Sequence, residues 1–429
     1  MNKIPDINST RKQVIVVGGG FAGLQLVRNL DKRYFNVLLI DKLNHHQFQP
    51  LFYQVATSQL EPASISFPFR NIFKNQKHVQ IRMAELLRVN PGQQTITTTI
   101  GDFEYDHLII ATGCKTNYFG NPNIQNHSYS LKTTYDSITI RNHILLTFEK
   151  VIAARKEDRE SLLNLAIVGA GPTGVELAGA FAEIKNDILP KDYHDVDFSK
   201  FTIRLIEGSD RILGNMSQQS GEAAARYLKK MGVILQTNTL VKDYDGETLI
   251  LSTGETIQAK TVIWAAGVTG KTIDGLPDNV SAPGNRIKVD RQNKVEGFSN
   301  IFAVGDIAYM ETPKYPKGHP QVANVAINQA KLVAKNLKRS ILNKPVKDYE
   351  YIDKGSMATI GRNKAIVDLP FVKFKGYPAW LVWMFLHLML ILSVRNKLII
   401  FINWAWLYIT KNTSLRLILT PVQRTTKQN

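Results

Sequence analysis

Short aliphatic runs ending in glycine or in an acid punctuate the first three quarters of the chain. "VIVV" at 14–17 leads into GGGFAG and then into helix-like apolar spacing. "LAIV" at 165–168 leads into GAGPTG and the same spacing. Unbroken apolar runs of four or five residues are what strands buried on both faces of a parallel sheet require. The run "VLLI" ends in Asp41 and "TIRLI" in Glu207, while "HLIIATG" (107–113), "TVIWAAG" (261–267) and "IFAVGDIA" (301–308) end in small residues and glycine. The pattern predicts two successive strand–turn–helix–strand units, hence an α/β fold with two Rossmann-like domains. Beyond residue 370 it changes. The blocks 379–392 and 398–409 are apolar except for His387 and Asn403. They predict helices of roughly 20 Å, short of a hydrocarbon core about 30 Å thick.

Each glycine turn has GxGxxG spacing: Gly18, Gly20 and Gly23, then Gly169, Gly171 and Gly174. The first glycine permits a tight turn, the second lets backbone approach a pyrophosphate, and the third lets the helix pack on the strand. The helix start then aims free N–H groups at the phosphates. Asp41 and Glu207, each ending the next strand, can accept hydrogen bonds from the hydroxyls of an adenosine ribose. Glu207 comes late because 187–200 reads as an inserted loop. As an acid it disfavours a 2′-phosphate, so NADH is expected over NADPH. Asp306 ends a strand at the sheet edge where α/β folds bind ligands.

The net charge of +17 needs a destination, and nucleic acid, an anionic membrane surface or a solvated exterior could each supply one. Residues 371–429 hold eight of the Lys and Arg residues, no acid, and four of the five tryptophans. Asn396, Asn403 and Thr410 recur every seven residues and share one side of a helix. Such a polar stripe with tryptophans and cations describes a helix lying in a membrane interface. A buried pair or dimer interface, or one span over 377–394, are the alternatives. The single cysteine, Cys114, excludes a CxxC redox pair, and the nine histidines lack metal-ligand spacing, so no metal is expected. The first residues lack an apolar stretch like a signal peptide, which points to cytosolic synthesis.

With these motifs in place, the sequence resembles the type II NADH:quinone oxidoreductases, or alternative NADH dehydrogenases, of the two-dinucleotide-binding-domain flavoproteins. The specific marks are "FQPLFYQVAT" (48–57), "ATGCKTNYFG" (111–120), "GAGPTGVELAGA" (169–180), "FAVGDIA", "VANVAINQAKLVAKNL" (322–337) and "GYPAWLVWMFLHL" (376–388). The resemblance implies FAD in the first unit, held by Gly18, Gly20, Phe21, Ala22, Gly23, Asp41, Lys42, Leu86, Ala111, Thr112, Gly113, Asp306 and Ala323. It implies NADH in the second, held by Gly169, Gly171, Pro172, Thr173, Gly174, Glu176, Glu207, Ala266 and Gly267. Glu176 matches a glutamate that the family places where nicotinamide, flavin and quinone meet, and is the candidate catalytic residue. Without the resemblance it reads as an acid in the first turn of a helix, favoured by the dipole. Tyr53, Gln54, Gln321, Asn324 and Asn328 are the candidate quinone contacts. The two asparagines stand where the family usually has glutamines, and Gln321 or Gln329 could take over.

The expected activity is transfer of two electrons from NADH through non-covalent FAD to a membrane quinone, without proton pumping. The enzyme would sit peripherally on the cytoplasmic face of the inner membrane, its C-terminal helices on the bilayer surface. Nucleic acid is not expected as a partner, and a homodimer is left open. Residues 1–122 and 281–344 would form the FAD domain, 123–280 the NADH domain, and 345–429 a C-terminal domain packed on the FAD unit. Two rivals remain. A soluble NADH-dependent reductase of a small iron–sulfur protein has no use for a basic, tryptophan-rich tail. A flavin-bearing protein using its charge on nucleic acid would want polar grooves, not cations flanking aliphatic runs.

Overall fold

The computed structural model of the chain describes residues 10–413 and 415–419. The first nine residues, part of the start expected to lack a leader, lie outside them, as do Arg424 and Lys427 of the basic tail. The chain forms two compact units. One comprises Met1–Gln47, Ser66–Lys115 and Val268–Ile352; the other comprises Phe48–Ile65, Thr116–Gly267 and Asp353–Asn429. Residues 48–65 thus join the second unit, whereas the sequence-based division assigns them to the first.

The first unit holds a parallel sheet in the order Ile301–Ala303, His107–Ile110, Lys12–Val17, Phe35–Asp41, Val79–Met83. The second repeats the plan with Tyr129–Ser130, Thr261–Trp264, Asn164–Val168, Thr202–Ile206, Val233–Gln236. In both, the glycine-ended strand is central. The acid-ended strand lies on one side, and the strand ending in a small residue and glycine on the other. Val14, Ile15 and Val16 are fully buried, as are Leu205 and Ile206, which explains the unbroken apolar runs. The α/β architecture with two Rossmann-like units is therefore as expected.

Five helices present residues named by the motifs: α1 (Phe21–Asn29), α2 (Pro172–Glu183), α3 (Ala323–Ile341), α4 (Tyr377–Leu390) and α5 (Val394–Thr410). The insertion expected as a loop over 187–200 instead starts as a continuation of α2. A π turn, Ile184–Ile188, leads into a short helix, Leu189–Asp192. Phe198 anchors its far end edge-on against Phe148, with ring centroids 5.4 Å apart.

After residue 353, three antiparallel strands (Ser356–Thr359, Ala365–Asp368, Lys373–Gly376) precede α4 and α5. The turn following the first of them lies against α2 at Gly179, where a Cβ would stand 2.9 Å from the Ile360 carbonyl carbon. Residues 353–429 group with the second unit, whereas the sequence-based division attaches them to the first. The side of α5 that meets protein is also unexpected for an interfacial helix. Asn396 is buried and donates to the carbonyls of Ala63 and Ser64 at 3.1 and 2.9 Å. Leu398, Phe401, Ile402, Trp406 and Ile409 are exposed. The polar edge docks at Asn396, whose amide satisfies buried backbone carbonyls, and the apolar edge is left outward. Among the described residues no helix is long and apolar enough to cross a membrane.

Candidate active site

The two glycine turns are near copies. Gly18 and Gly169 take φ of +101° and +98°, a conformation costly for residues with a Cβ. A Cβ on Gly18 would stand 2.4 Å from the Ala111 carbonyl oxygen, and one on Gly169 2.7 Å from that of Ala265. A Cβ on Gly23 or Gly174 would collide with the first glycine's carbonyl oxygen at 1.8 or 1.9 Å. At Gly20 and Gly171 it would meet nothing within 4 Å. The outer glycines thus serve packing, and the middle ones keep open the space beyond the helix start.

The acids answer one another as well. Asp41 accepts the Gly19 N–H at 2.6 Å and the Leu43 N–H at 2.7 Å. Glu207 accepts the Ala170 N–H at 2.6 Å and the Ser209 N–H at 2.9 Å. Burial raises the Asp41 pKa, and the Gly19 and Leu43 amides oppose the rise. Each carboxylate therefore stands beside its glycine turn.

Around the first cradle, Phe21 and Ala22 begin α1, and Ala111, Thr112 and Gly113 follow the neighbouring strand. Gly305, just before Asp306, fits between Ala22 and Ala326. Its N–H donates to Gln329 Oε1 at 2.8 Å, so that glutamine holds the turn. Ala323 is the first residue of α3. Leu86 packs against the first unit's core, and Lys42 is exposed. Sequence reasoning missed His46, whose Nδ1 lies 2.9 Å from the Gly19 carbonyl. Burial lowers its pKa to about 4. In the second cradle Pro172 and Thr173 are exposed at the start of α2, and Ala266 and Gly267 follow the adjacent strand, Thr261–Trp264.

A cavity of about 50 Å³ in the second unit is lined by Tyr53, Gln54, Glu176, Glu183, Thr359, Trp383 and Trp404, among others. Trp404 Nε1–H donates to Gln54 Oε1 at 2.8 Å, and Gln54 Nε2–H donates to Tyr53 Oη at 2.8 Å. Burial, then the charge of Glu176, push the Tyr53 phenol well above its usual range. Glu176 is the fifth residue of α2, whose first turn carries no acid, so the helix-dipole reading of it is corrected. It is buried, and desolvation raises its carboxyl to about 8. The Thr359 N–H at 3.4 Å and the neighbouring Trp383 indole, which makes no regular hydrogen bond, pull the other way.

Of the candidate quinone contacts, Tyr53 and Gln54 share this cavity. Gln321, Asn324 and Asn328 belong to the first unit and are not among its lining. Gln321 Nε2 donates to the Asp306 carbonyl at 3.1 Å, and Asn328 Nδ2 to Asn324 Oδ1 at 2.7 Å. Glu183, Thr359, Trp383 and Trp404 escaped the sequence reading of the site. The two tryptophans were noticed only as membrane-facing aromatics.

Comparison with known proteins gives the family and the fold. Residues 12–330 match the pyridine nucleotide-disulphide oxidoreductase family, and 354–411 the NDH2 C-terminal domain. The chain is 33% identical over 417 residues to a type II NADH:quinone oxidoreductase of Mycobacterium tuberculosis, covering 92% of this chain and 88% of that one. It is 28% identical to an internal alternative NAD(P)H-ubiquinone oxidoreductase of Solanum tuberosum, with 92% and 86% covered. The structure of Plasmodium falciparum NDH2 in complex with NADH shares the fold at a TM-score of 0.87 and 22% identity, covering 96% of this chain and all of that one. The chain belongs to the type II NADH:quinone oxidoreductases, within the pyridine nucleotide-disulphide oxidoreductase family.

Proposed function

We infer that this protein is an NADH dehydrogenase that passes two electrons through non-covalent FAD to a quinone. The observation that carries the reading is the pair of matched glycine cradles, open at Gly20 and Gly171 and each flanked by an acid. The residues fit the two dinucleotides: the open middle glycines leave room for a pyrophosphate at each helix start. FAD would be held by Gly18 to Gly23, Asp41, Lys42, Leu86, Ala111 to Gly113, Asp306 and Ala323. NADH would be held by Gly169 to Gly174, Glu207, Ala266 and Gly267. Bound FAD supplies two-electron chemistry that none of these side chains can perform.

The protein's own part is orientation and proton handling. With its carboxyl at about 8, Glu176 is largely protonated near neutrality and can give a proton to a quinone oxygen. Tyr53 stays neutral, and because its oxygen accepts from Gln54, its hydroxyl hydrogen remains a donor. Trp383 and Trp404 wall the cavity against bulk water. Gln321, Asn324 and Asn328 enter as quinone contacts through the family resemblance alone.

The exposed apolar edges of α4 and α5 suit the surface of a bilayer, from which a lipid-soluble quinone is drawn. We place the enzyme peripherally on the cytoplasmic face of the membrane and expect no ion pumping. Domain limits at 122, 280 and 344 follow the cofactors, although the C-terminal domain packs with the NADH unit. Purified protein should consume NADH only when quinone is added, one quinol forming per NADH. Faster electron delivery to a small iron–sulfur protein than to quinone would favour the rival activity.

A further inference from the structure

Quinone reduction by NADH consumes one proton from solution: NADH, a proton and quinone yield NAD⁺ and quinol. One proton must therefore reach the buried cavity at each turnover. A second carboxylate reaches the same cavity. Glu183 lies seven residues beyond Glu176 on α2, close to two helical turns, so both project from one face. The same short turn holds them. Thr359 N–H donates to Glu176, and Arg362 N–H donates to Glu183. Gly361, with φ of +98°, lets this turn press on the second acid, since a Cβ there would stand 2.6 Å from Glu183 Oε1.

Beyond Glu183 the way leads outward. The Arg362 guanidinium pairs with Asp187 at 2.8 Å, their side chains 16% and 30% exposed. Asp187 lies in the π turn that follows α2, and such turns recur at functional sites. Inward, Tyr53 lies within the electrostatic reach of both Glu176 and Glu183. At roughly 10–15 Å³ for each water, a cavity of about 50 Å³ has room for a short file of them.

We propose that Glu183 is the proton-entry group of the quinone site, handing protons inward to Tyr53 and Glu176 and receiving them from solution beside Arg362 and Asp187. The inference rests on the quinone reading of that cavity. In each cycle the Glu183 O–H bond breaks and its proton moves along the cavity to Glu176, replacing the one given to quinone. A proton from solution, carried by water at the Arg362–Asp187 mouth, then restores it. The electrons come from NADH and no other reactant is needed. The charged groups acting on Glu183 are Arg362, Lys364 and Asp187. Burial raises its pKa, and the Arg362 N–H and the two cations oppose the rise.

The test uses the flavin-loaded, full-length protein under anaerobic mixing, first with NADH and then with a water-soluble quinone. Glu183→Gln keeps the oxygen that accepts from Arg362 and removes the exchangeable proton. Flavin bleaching by NADH should stay within twofold of wild type, while reoxidation by quinone slows about 10- to 100-fold and steepens its dependence on pH. Glu183→Asp, or a small weak acid added to Glu183→Gln, should restore most of the rate. Reoxidation at the wild-type rate and pH profile in Glu183→Gln would overturn the proposal. So would slow reoxidation that neither Glu183→Asp nor weak acid restores, which would make Glu183 structural. Failure of the wild type itself to bleach and recover would instead count against the quinone reading.

Discussion

Alanine at Gly171 and at Gly174 should have opposite consequences. At Gly174 the new Cβ would stand 1.9 Å from the Gly169 carbonyl oxygen. Ordinary carbon–oxygen contacts begin near about 3.3 Å, so helix and strand must part by roughly 1.4 Å. Overpacking of that kind costs about 1–3 kcal/mol or more, and the better helix propensity of alanine recovers only about 1 kcal/mol. At Gly171 the backbone sits at φ −69° and ψ −176°, which alanine adopts freely, and the Cβ meets nothing within 4 Å. Stability should change by less than about 0.5 kcal/mol. The methyl group would, however, occupy the approach to the pyrophosphate. A clash there of about 1–3 kcal/mol weakens NADH binding about 5- to 150-fold. Denaturant unfolding and calorimetric NADH titration of the two variants measure both effects. Unaltered NADH affinity in Gly171→Ala, or undiminished stability in Gly174→Ala, would refute the division of labour among these glycines. Gly20 and Gly23 should repeat the contrast with retention of flavin as the readout.

Glu207→Gln removes the negative charge facing a ribose 2′-position and should raise the NADPH-to-NADH ratio of kcat/KM about tenfold; an unchanged ratio would show that Glu207 does not select the cofactor. The Glu176 carboxyl rises from 4.5 unfolded to about 8 folded. Its protonated form stabilises the fold fully below about 4.5, and that contribution is lost as pH rises through about 8. Glu176→Gln should therefore gain stability relative to wild type across that window, as denaturant unfolding at several pH values would reveal; a constant difference would contradict the burial argument. Phe401 and Ile409 are 53% and 78% exposed on the outer edge of α5. Replacing both with Glu should weaken pelleting with anionic vesicles more than tenfold, since each such side chain contributes about 1.5–3 kcal/mol when buried. Equal pelleting would remove α5 as the anchor.

Both dinucleotide units were legible because their determinants are local. A run such as 14–17, a GxGxxG turn and an acid at 41 or 207 lie within one strand–turn–helix–strand unit, and backbone sterics leave little freedom between them. The cavity was only half legible. Tyr53, Gln54 and Glu176 came from the family motifs. Thr359, Trp383 and Trp404 reach it from segments separated in sequence by up to about 350 residues, and nothing periodic connects them, whereas Glu183 shares a face of α2 with Glu176. The heptad spacing of Asn396, Asn403 and Thr410 was read as one helix side, and the structure turns Asn396 of that side toward protein. Spacing fixes which residues share a face, whereas a partner distant in sequence, here the carbonyls of Ala63 and Ser64 that accept from Asn396, is invisible to it. The 187–200 insertion departs from a loop as far as Asp192, where Ile188 and Leu189 find apolar cover that the charged residues around them concealed.

The central claim is that one chain holds two redox carriers and discharges them into a quinone. Anaerobic mixing of the purified, flavin-loaded protein with one equivalent of NADH, followed by one of quinone, tests it most directly. The yellow flavin absorbance should be lost on the first addition and return in full on the second, with quinol formed in equal amount. A protein that takes up no flavin, or one whose flavin bleaches with NADH and stays bleached in the presence of quinone, would contradict it.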